Sequence, residues 1–216
     1  MYSSTTQINI IPSGSSLTTI NPHDPASLSM FVNVLAELLN ELRHNYSQLI
    51  ILCIGSDRST GDSLGPLVGS MLEELQPGNA VVMGTLTKPV HALNLAKTRL
   101  SIKEHYDSAA ILAVDAGLGQ RDKIGTLEIG KGSLRPGAAV KKRIPPIGDI
   151  YITGIVNVVG FMELMVLQTT SLGIVFNLAR FIGWGIYLAL AMNDWLPPNK
   201  AGKQDTGTAS QFVKTM

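Results

Sequence analysis

The sequence predicts an α/β fold with three layers, in which a central, mostly parallel β-sheet has helices on both faces. Three short, continuously apolar runs at residues 49–54, 80–83 and 109–114 are typical of strands that are buried on both sides. Segments with apolar residues at helical spacing lie between them, at 66–75 and 89–102. Strand and helix therefore alternate in the order of a right-handed βαβαβ unit.

The helices of this unit, and one long helix before it, are predicted from their apolar stripes. Asp24 followed by Pro25 is a favourable N-cap and first turn for the long helix. Its stripe consists of Leu28, Phe31, Val32, Leu35, Leu38, Leu39 and Leu42. The stripe of 66–75 consists of Leu67, Val68, Met71, Leu72 and Leu75, and that of 89–102 consists of Leu93, Ala96 and Leu100. We expect each stripe to face the sheet.

After residue 114 the pattern changes to short strands at 126–129, 138–144 and 151–156, followed by helices at 158–168 and 172–192. The last helix contains twelve consecutive uncharged residues at 181–192. A membrane span needs about 20 apolar residues, and a run of 10–14 is more often a buried helix. Gly183 and Gly185 weaken this helix, so we expect packing to stabilise it.

Length and composition indicate one α/β domain over residues 23–195, between a loose arm at 1–22 and a frayed tail at 196–216. The net charge of +1, from 17 basic and 16 acidic residues, gives no field for nucleic-acid binding. One cysteine excludes an internal disulfide. No Lys or Arg precedes Arg43, so a secretory signal is not predicted. We therefore expect a cytoplasmic protein that binds neither nucleic acid nor membrane and that could form a homo-oligomer.

Acidic and other polar side chains follow the predicted parallel strands, at the edge of the sheet where binding sites form. Asp57 and Asp62 follow the first strand, His91 follows the second, and Asp115 follows the third. Asn157 ends the strand at 151–156 and is a candidate supporting donor. Asp149 precedes that strand, which places it at the opposite edge if the strand is parallel.

Asp62 and Asp115 are the candidate catalytic pair. Two carboxyl groups within a few ångströms share a proton, so one can accept a proton from water while the other donates to a carbonyl oxygen. Asp62 precedes a predicted helix, whose dipole favours the anion, so we assign it as the base and Asp115 as the acid. The structural alternatives are a cap or turn for each aspartate, a first-turn role for His91 and a local ion pair of Asp57 with Arg58.

Two other segments resemble known motifs, one catalytic and one phosphate-binding. Residues 61–65 match G-x-S-x-G, but Ser63 lies nine residues beyond the strand and no histidine follows His105. Residues 125–133 resemble a phosphate loop, but Gly132 replaces the required Ser or Thr and no helix follows. We expect a turn role for Ser63, and turns around a hairpin for the glycines of 125–133.

Five segments in order, at 54–55, 60–66, 114–116, 135–142 and 154–159, carry a family resemblance over about half of the chain. They resemble the germination protease family of spore-forming bacteria, and 88–95 and 148–157 resemble its smaller YyaC-like sporulation branch. The resemblance implies an aspartate-dependent endopeptidase of the spore interior, without a cofactor, that acts on small acid-soluble spore proteins. The family's two essential aspartates match Asp62 and Asp115 by motif.

Two alternatives remain open beside this activity. The wider fold relatives include hydrogenase-maturation peptidases, which bind metal through two acidic residues and a histidine. Asp62 and Asp115 match the acidic ligands, and His91 could supply the third. The other alternative is a catalytically inactive sporulation protein that binds a partner through its apolar C-terminal helices.

Overall fold

In the computed structural model, which describes residues 17–136, 145–193 and 195, six strands form one sheet. They are β1 Thr18–Ile20, β2 Gln48–Cys53, β3 Val81–Met83, β4 Ala109–Gly119, β5 Leu127–Lys131 and β6 Ile150–Val158. Their spatial order is β1-β5-β6-β4-β2-β3. β3, β2, β4 and β6 are parallel, β5 is antiparallel to β6, and β1 is antiparallel to β5. The predicted mostly parallel sheet is confirmed.

Helices cover both faces of this sheet. They are α1 Ser27–Arg43, α2 Leu64–Leu75, α3 Leu95–His105, α4 Glu163–Gln168 and α5 Leu172–Met192, with 3₁₀ turns at Thr60–Ser63 and Arg121–Lys123. α1, α2 and α5 share the main hydrophobic core on one face. α3 contributes to a second cluster on the other face. The three-layer α/β/α arrangement is therefore confirmed.

The central strands have apolar sequences throughout because both of their faces are covered. In β2, Leu49, Ile51 and Cys53 belong to the main core. Ile50 and Leu52 belong to the second cluster, because successive side chains point to opposite faces. A strand with a hydrophobic layer on each side cannot alternate between apolar and polar residues.

The glycines of α5 are sites of close helix packing. A Cβ on Gly183 would lie 2.7 Å from Met71 Sδ of α2, and a Cβ on Gly185 would lie 2.2 Å from Phe31 of α1. By length and composition, α5 is the one helix in the described ranges that could cross a membrane, but 56% of its apolar window is buried inside the fold. Its packing against α1 and α2 is that expected of a core helix.

The prediction for α3 is wrong in its start and in its buried face. The helix begins at Leu95, because Asn94 holds the preceding segment as a turn: its Oδ1 accepts from the backbone N–H of His91, and its Nδ2 donates to Pro89 O. Leu95 and Ile102 are buried. The predicted stripe of Leu93, Ala96 and Leu100 is exposed, with Leu93 at 74% and Leu100 at 61%.

Three further boundaries differ from the predictions. Thr18–Ile20 pairs with β5, so the predicted loose arm is wrong over these residues. α4 begins at Glu163, five residues later than predicted, because β6 continues to Val158 in register with Gly119. The predicted strand at 138–144, residues 1–16 and the tail at 196–216 lie outside the described residues.

Candidate functional site

Asp62 and Asp115 lie on elements that are in contact at the carboxyl edge of the parallel strands. Asp62 is in the Thr60–Ser63 turn between β2 and α2, and this turn contacts β4, α4 and α5. Asp115 lies within β4, opposite Thr153 of β6. The structure thus brings the two elements together, while a proton shared between the two carboxyl groups stays a prediction.

Backbone hydrogen bonds within residues 56–62 hold the segment before Asp62 as a compact loop. The N–H of Ser56 donates to Asp62 O at 2.9 Å, and the N–H of Asp62 donates to Ser59 O at 3.0 Å. Gly55 has a φ of 143°, and a Cβ there would lie 2.0 Å from Asp62 O. Only glycine fits this close approach, so the position of Asp62 depends on the sequence at the strand exit.

Burial raises the pKa of Asp62 to about 6 from 3.8, and a hydrogen bond from the Ser56 backbone acts in the opposite direction. The turn also precedes the N-terminus of α2, where the helix dipole favours the anion. Burial has the larger effect. At neutral pH the carboxyl group is mostly ionised but more basic than an ordinary aspartate, as a general base requires.

Asp115 is almost completely buried, with 7% exposure, and its Oδ1 accepts a hydrogen bond from the Ala116 N–H at 2.9 Å. Its side chain lies on the α3 face of the sheet, two residues from Ala113 of the second cluster. Thr153 stands opposite Asp115, and Glu128 stands opposite Thr153 on the same face. β4, β6 and β5 therefore present a row of three polar side chains.

Sequence reasoning missed Thr153 and Glu128 as members of this row. Alternation within each strand indicates which residues share a face of that strand. The pairing of β5 with β6 is a long-range contact, and no local pattern in the sequence specifies it.

Asn157 supports the Asp62 turn through Thr170. Its Nδ2 donates to Thr170 Oγ1 at 3.1 Å and to Val166 O at 3.2 Å, and its Oδ1 accepts from the Val158 N–H. Thr170 in turn contacts Gly61, since a Cβ on Gly61 would lie 2.8 Å from Thr170 Oγ1. The predicted supporting donor thus joins β6 to the end of α4, and Thr170 contacts the turn that contains Asp62.

His91 and Asp57 have local roles in the described structure. The Nδ1 of His91 accepts from the Leu93 N–H at 3.2 Å in the turn before α3, not in the first turn of the helix as the structural alternative had it. Val90 O beside it accepts from the Gly55 N–H at 2.8 Å. Asp57 is exposed in the loop after β2. Within the described ranges, no three His, Cys, Asp or Glu side chains are grouped so that they could hold a metal ion.

The two motif matches have the turn and strand roles expected for them. Ser63 is 6% exposed, and its hydroxyl donates to Thr60 O at 2.7 Å within the 3₁₀ turn. The loop that resembled a phosphate-binding motif forms β5, Leu127–Lys131. Asp149 lies before β6, and its Oδ2 accepts from the Ile111 N–H at the start of β4. That position is the edge opposite to Asp62, as the sequence predicted.

An exposed apolar surface adjoins the Asp62 turn. We call it the α4 surface and define it by Val159, Phe161, Met162, Leu164 and Met165, whose exposures are 51%, 97%, 66%, 58% and 51%. It follows β6 directly and continues into α4, which contacts the Thr60–Ser63 turn. An exposed apolar patch of this kind marks a binding surface more often than a scattered apolar residue does.

Comparisons with known proteins show the family of the chain. A [NiFe] hydrogenase maturation protease, HycI from Thermococcus kodakarensis KOD1, is 18% identical with a TM-score of 0.47, over 71% of this chain and 99% of that one. At this identity and TM-score, the likeness has no bearing on function. The uncharacterized protein YyaC of Bacillus subtilis (strain 168) is 48% identical over 140 residues, which are 65% of this chain and 68% of YyaC. This identity supports the predicted YyaC-like resemblance. The model of the DUF1256 family, described as a protein of unknown function, matches residues 19–185, and the chain belongs to that family.

Proposed function

We propose that the protein is an aspartate-dependent endopeptidase in which Asp62 activates the attacking water and Asp115 donates a proton to the scissile carbonyl. The observation that carries this proposal is a half-buried carboxyl group, Asp62, on a turn packed against the strand of a buried carboxyl group, Asp115. The sequence resemblance to germination proteases supports small acid-soluble spore proteins as the substrates and the forespore as the compartment.

The proposed chemistry has no covalent intermediate. Asp62 takes a proton from water, and the resulting hydroxide attacks the carbonyl carbon, while the proton of Asp115 moves to the carbonyl oxygen. When the tetrahedral intermediate collapses and the C–N bond breaks, Asp62 gives its proton to the leaving amine and Asp115 takes back the proton from the former carbonyl oxygen, so both groups return to their starting states. A general base is most effective when its pKa lies near the working pH, and the pKa of Asp62 at about 6 supports this role.

The decisive experiment compares the wild type with Asp62→Asn and Asp115→Asn in the cleavage of purified small acid-soluble spore proteins. Loss of a general acid or base costs about 10²–10⁴-fold, so each variant should lose at least about 100-fold in rate, measured by mass spectrometry of the fragments. Asp107→Asn, an exposed aspartate before β4, is the matched control and should cleave normally. Full activity of either site variant would refute the assignment.

The pH profile gives a second test of the role of Asp62. If its ionised form is the base, the rising limb of kcat/KM against pH should have an apparent pKa of about 6. An exposed aspartate in the same role would place this limb near pH 4. A limb near pH 4 would contradict a base whose pKa is raised by burial.

A second candidate function is a non-catalytic protein that binds a partner with the same fold. The exposed α4 surface favours it, because apolar side chains in contact with water are typical of docking sites. In that case the wild type would cleave none of the spore proteins, and substitution of Asp62 and Asp115 would leave partner binding unchanged.

A further inference from the structure

β4 extends beyond its neighbour β2 and leaves an open strand edge inside the sheet. The last pair of residues in the β2–β4 ladder is Cys53 and Val114, and the Ile54 N–H donates to Val114 O at 2.7 Å. On its other side, β4 stays paired with β6 as far as Gly119. We call the β2 side of residues 116–119 the β4 edge. All four of its residues are half-buried.

Three backbone groups of the β4 edge have no partner among the residues that the structure describes. Successive residues of a strand direct their N–H and C=O to opposite sides, so Ala116 and Leu118 face the same side as Val114. Within the described residues, Ala116 O, the Leu118 N–H and Leu118 O make no hydrogen bond. Gly119 faces β6, where its carbonyl oxygen accepts from the Val159 N–H at 2.8 Å. An unpaired edge of this kind is a template for another strand.

Asp115 lies at the start of the β4 edge. Its Oδ1 accepts from the Ala116 N–H at 2.9 Å, and this N–H is the first donor that an added strand would meet. The Thr60–Ser63 turn, which contains Asp62, also contacts β4. A polypeptide on the β4 edge would therefore lie beside one carboxyl group of the proposed site and near the turn of the other.

The size of the β4 edge favours an extended polypeptide over a folded partner. A stable interface between folded proteins uses about 20–30 residues from each side. The β4 edge has four residues, and its unpaired groups are those of the main chain. Peptides that add a strand to a sheet obtain their affinity from main-chain hydrogen bonds. Antiparallel pairing is slightly more stable per residue than parallel pairing, which favours an antiparallel strand here.

We propose that the substrate polypeptide binds as an added strand, antiparallel to the β4 edge. This inference rests on the proposed endopeptidase function and extends it by stating how the substrate chain is held. One substrate residue exchanges two hydrogen bonds with Leu118. The residue two positions closer to the C-terminus of the substrate donates its N–H to Ala116 O, and its carbonyl oxygen lies beside Oδ1 of Asp115. We call it the scissile residue, because the proposed acid can protonate its carbonyl oxygen there.

N-methylation of the substrate backbone tests this register with the wild-type protein. Decapeptides of random sequence, with either N-methylalanine or alanine at one central position, are digested, and the cut positions are read by mass spectrometry. Cuts that place N-methylalanine at the scissile residue, or two positions before it, should be at least about fivefold rarer than with alanine. A net hydrogen bond corresponds to a factor of about that size.

The residue between these two positions is the matched control. Its N–H points away from the β4 edge, so N-methylation there should leave the frequency of cuts unchanged. An equal loss of cuts at all three positions, or no loss at any of them, would overturn the added strand. A loss confined to positions on the C-terminal side of the cut would overturn the antiparallel direction.

The β4 edge itself is tested with the full-length Asp62→Asn/Asp115→Asn protein, which prevents cleavage during binding. Leu118→Pro removes the N–H of the edge but no bond of the β6 ladder, and proline is tolerated at such positions. It should weaken binding of fluorescein-labelled random decapeptides at least about fivefold in anisotropy measurements. Leu118→Ala keeps the N–H and should bind normally. Equal binding by the two variants would overturn the proposal, and the N-methylation test decides it if Leu118→Pro does not fold.

These measurements separate a failure of the added strand from a failure of the proposed function. Cleavage that depends on Asp62 and Asp115 but not on the N-methylated position would leave the endopeptidase standing and overturn the added strand. Peptide binding that Leu118→Pro weakens, without any cleavage by the wild type, would support the β4 edge and overturn the catalytic proposal. A dimer in sedimentation that Leu118→Pro dissociates would identify a second copy as the occupant and overturn the substrate strand.

Discussion

The segments that follow β2 and β6 differ in how closely their backbones are packed; we call the first the rigid exit and the second the exposed exit. After β2, three glycines are each closer to their neighbours than a side chain allows: a Cβ would lie 2.0 Å from Asp62 O at Gly55, 2.8 Å from Thr170 at Gly61 and 2.1 Å from Ile54 O at Gly65. After β6, a Cβ on Gly160 would meet nothing within 4 Å. The side chain that follows it, Phe161, is 97% exposed.

This difference separates two requirements of a hydrolytic site. A catalytic carboxyl group must be held in one position, and close backbone packing around Asp62 provides that constraint. Side chains exposed to water are not held in one position, and Met165, at 51% exposure, is a flexible side chain of this kind. The contact between Gly61 and Thr170 joins the rigid exit to the exposed one.

The largest expected loss of stability comes from adding a side chain to a glycine in the segment after β2. Gly65→Ala would place a Cβ 2.1 Å from Ile54 O, so the start of α2 must move away from the end of β2. Overpacking costs about 1–3 kcal/mol and occasionally more, and a clash with backbone belongs at the upper end. We expect a loss of at least about 3 kcal/mol in the free energy of unfolding, measured by urea denaturation.

Gly160→Ala is the matched control for this prediction. It introduces the same methyl group at the exposed exit, where the space is open, and it should change the stability by less than about 0.5 kcal/mol. Equal effects of the two substitutions would show that the exits do not differ in packing.

The next largest effect is the pH dependence of stability that the charge of Asp62 causes. The pKa of Asp62 is raised from 3.8 to about 6 in the folded protein, so folding favours the protonated form. The wild type should therefore lose stability as the pH rises from about 4 through 6, by up to about 3 kcal/mol. Asp62→Asn has no charge to bury, so it should be more stable than the wild type by about 1–3 kcal/mol at pH 8.

Thermal or urea unfolding at pH 4 and pH 8 measures this difference. At pH 4 the folded aspartate is protonated and the unfolded one is about half protonated, so the advantage of Asp62→Asn should fall below about 1 kcal/mol. Asp107→Asn is again the control, since Asp107 is exposed. An Asp62→Asn protein that is less stable than the wild type at pH 8 would show that the carboxylate is stabilised by the fold rather than destabilised.

The sequence was sufficient to predict the bounds of those helices and strands whose local apolar pattern agrees with the residues that are buried. The predicted bounds of α5, Leu172–Met192, are confirmed, and β2 and β3 differ from the predictions by one residue at most. α3 was not predictable in this way, because Leu93 and Leu100 have helical spacing but lie on the exposed side. The turn held by Asn94 delays the start of the helix to Leu95, and packing in the second cluster buries Leu95 and Ile102 instead.

The candidate site was predictable only to the level of the sheet edge. Asp62 and Asp115 follow buried strands, and parallel strands place their carboxyl ends together. The burial that raises the pKa of Asp62 comes from the packed turn, which requires contacts between distant segments. The same is true of the bond from Asn157 to Thr170, which joins β6 to the end of α4.

A smaller effect is expected at the link between the two exits. Thr170→Val keeps the shape of the side chain but removes the oxygen that accepts from Asn157 Nδ2 and that donates to Val166 O. Thr170 is 6% exposed, so we expect a loss of about 1–2 kcal/mol in chemical denaturation. Thr169→Val is the matched control: its hydroxyl also donates to a helix carbonyl, Met165 O, but the residue is exposed. A loss as large for Thr169→Val would mean that the hydroxyl stabilises α4 alone rather than the link.

The smallest effect is expected on the α4 surface. Phe161→Ala removes the most exposed of the large apolar side chains in the described residues, and at 97% exposure the ring makes almost no packing contact to lose. The free energy of unfolding should change by less than about 0.5 kcal/mol, measured beside Gly65→Ala in the same denaturation series. A loss above about 1 kcal/mol would show that the ring packs against the fold in solution. If the stability is unchanged, folding does not explain an aromatic ring in contact with water next to the Asp62 turn, and the reason for Phe161 must lie in what the surface binds.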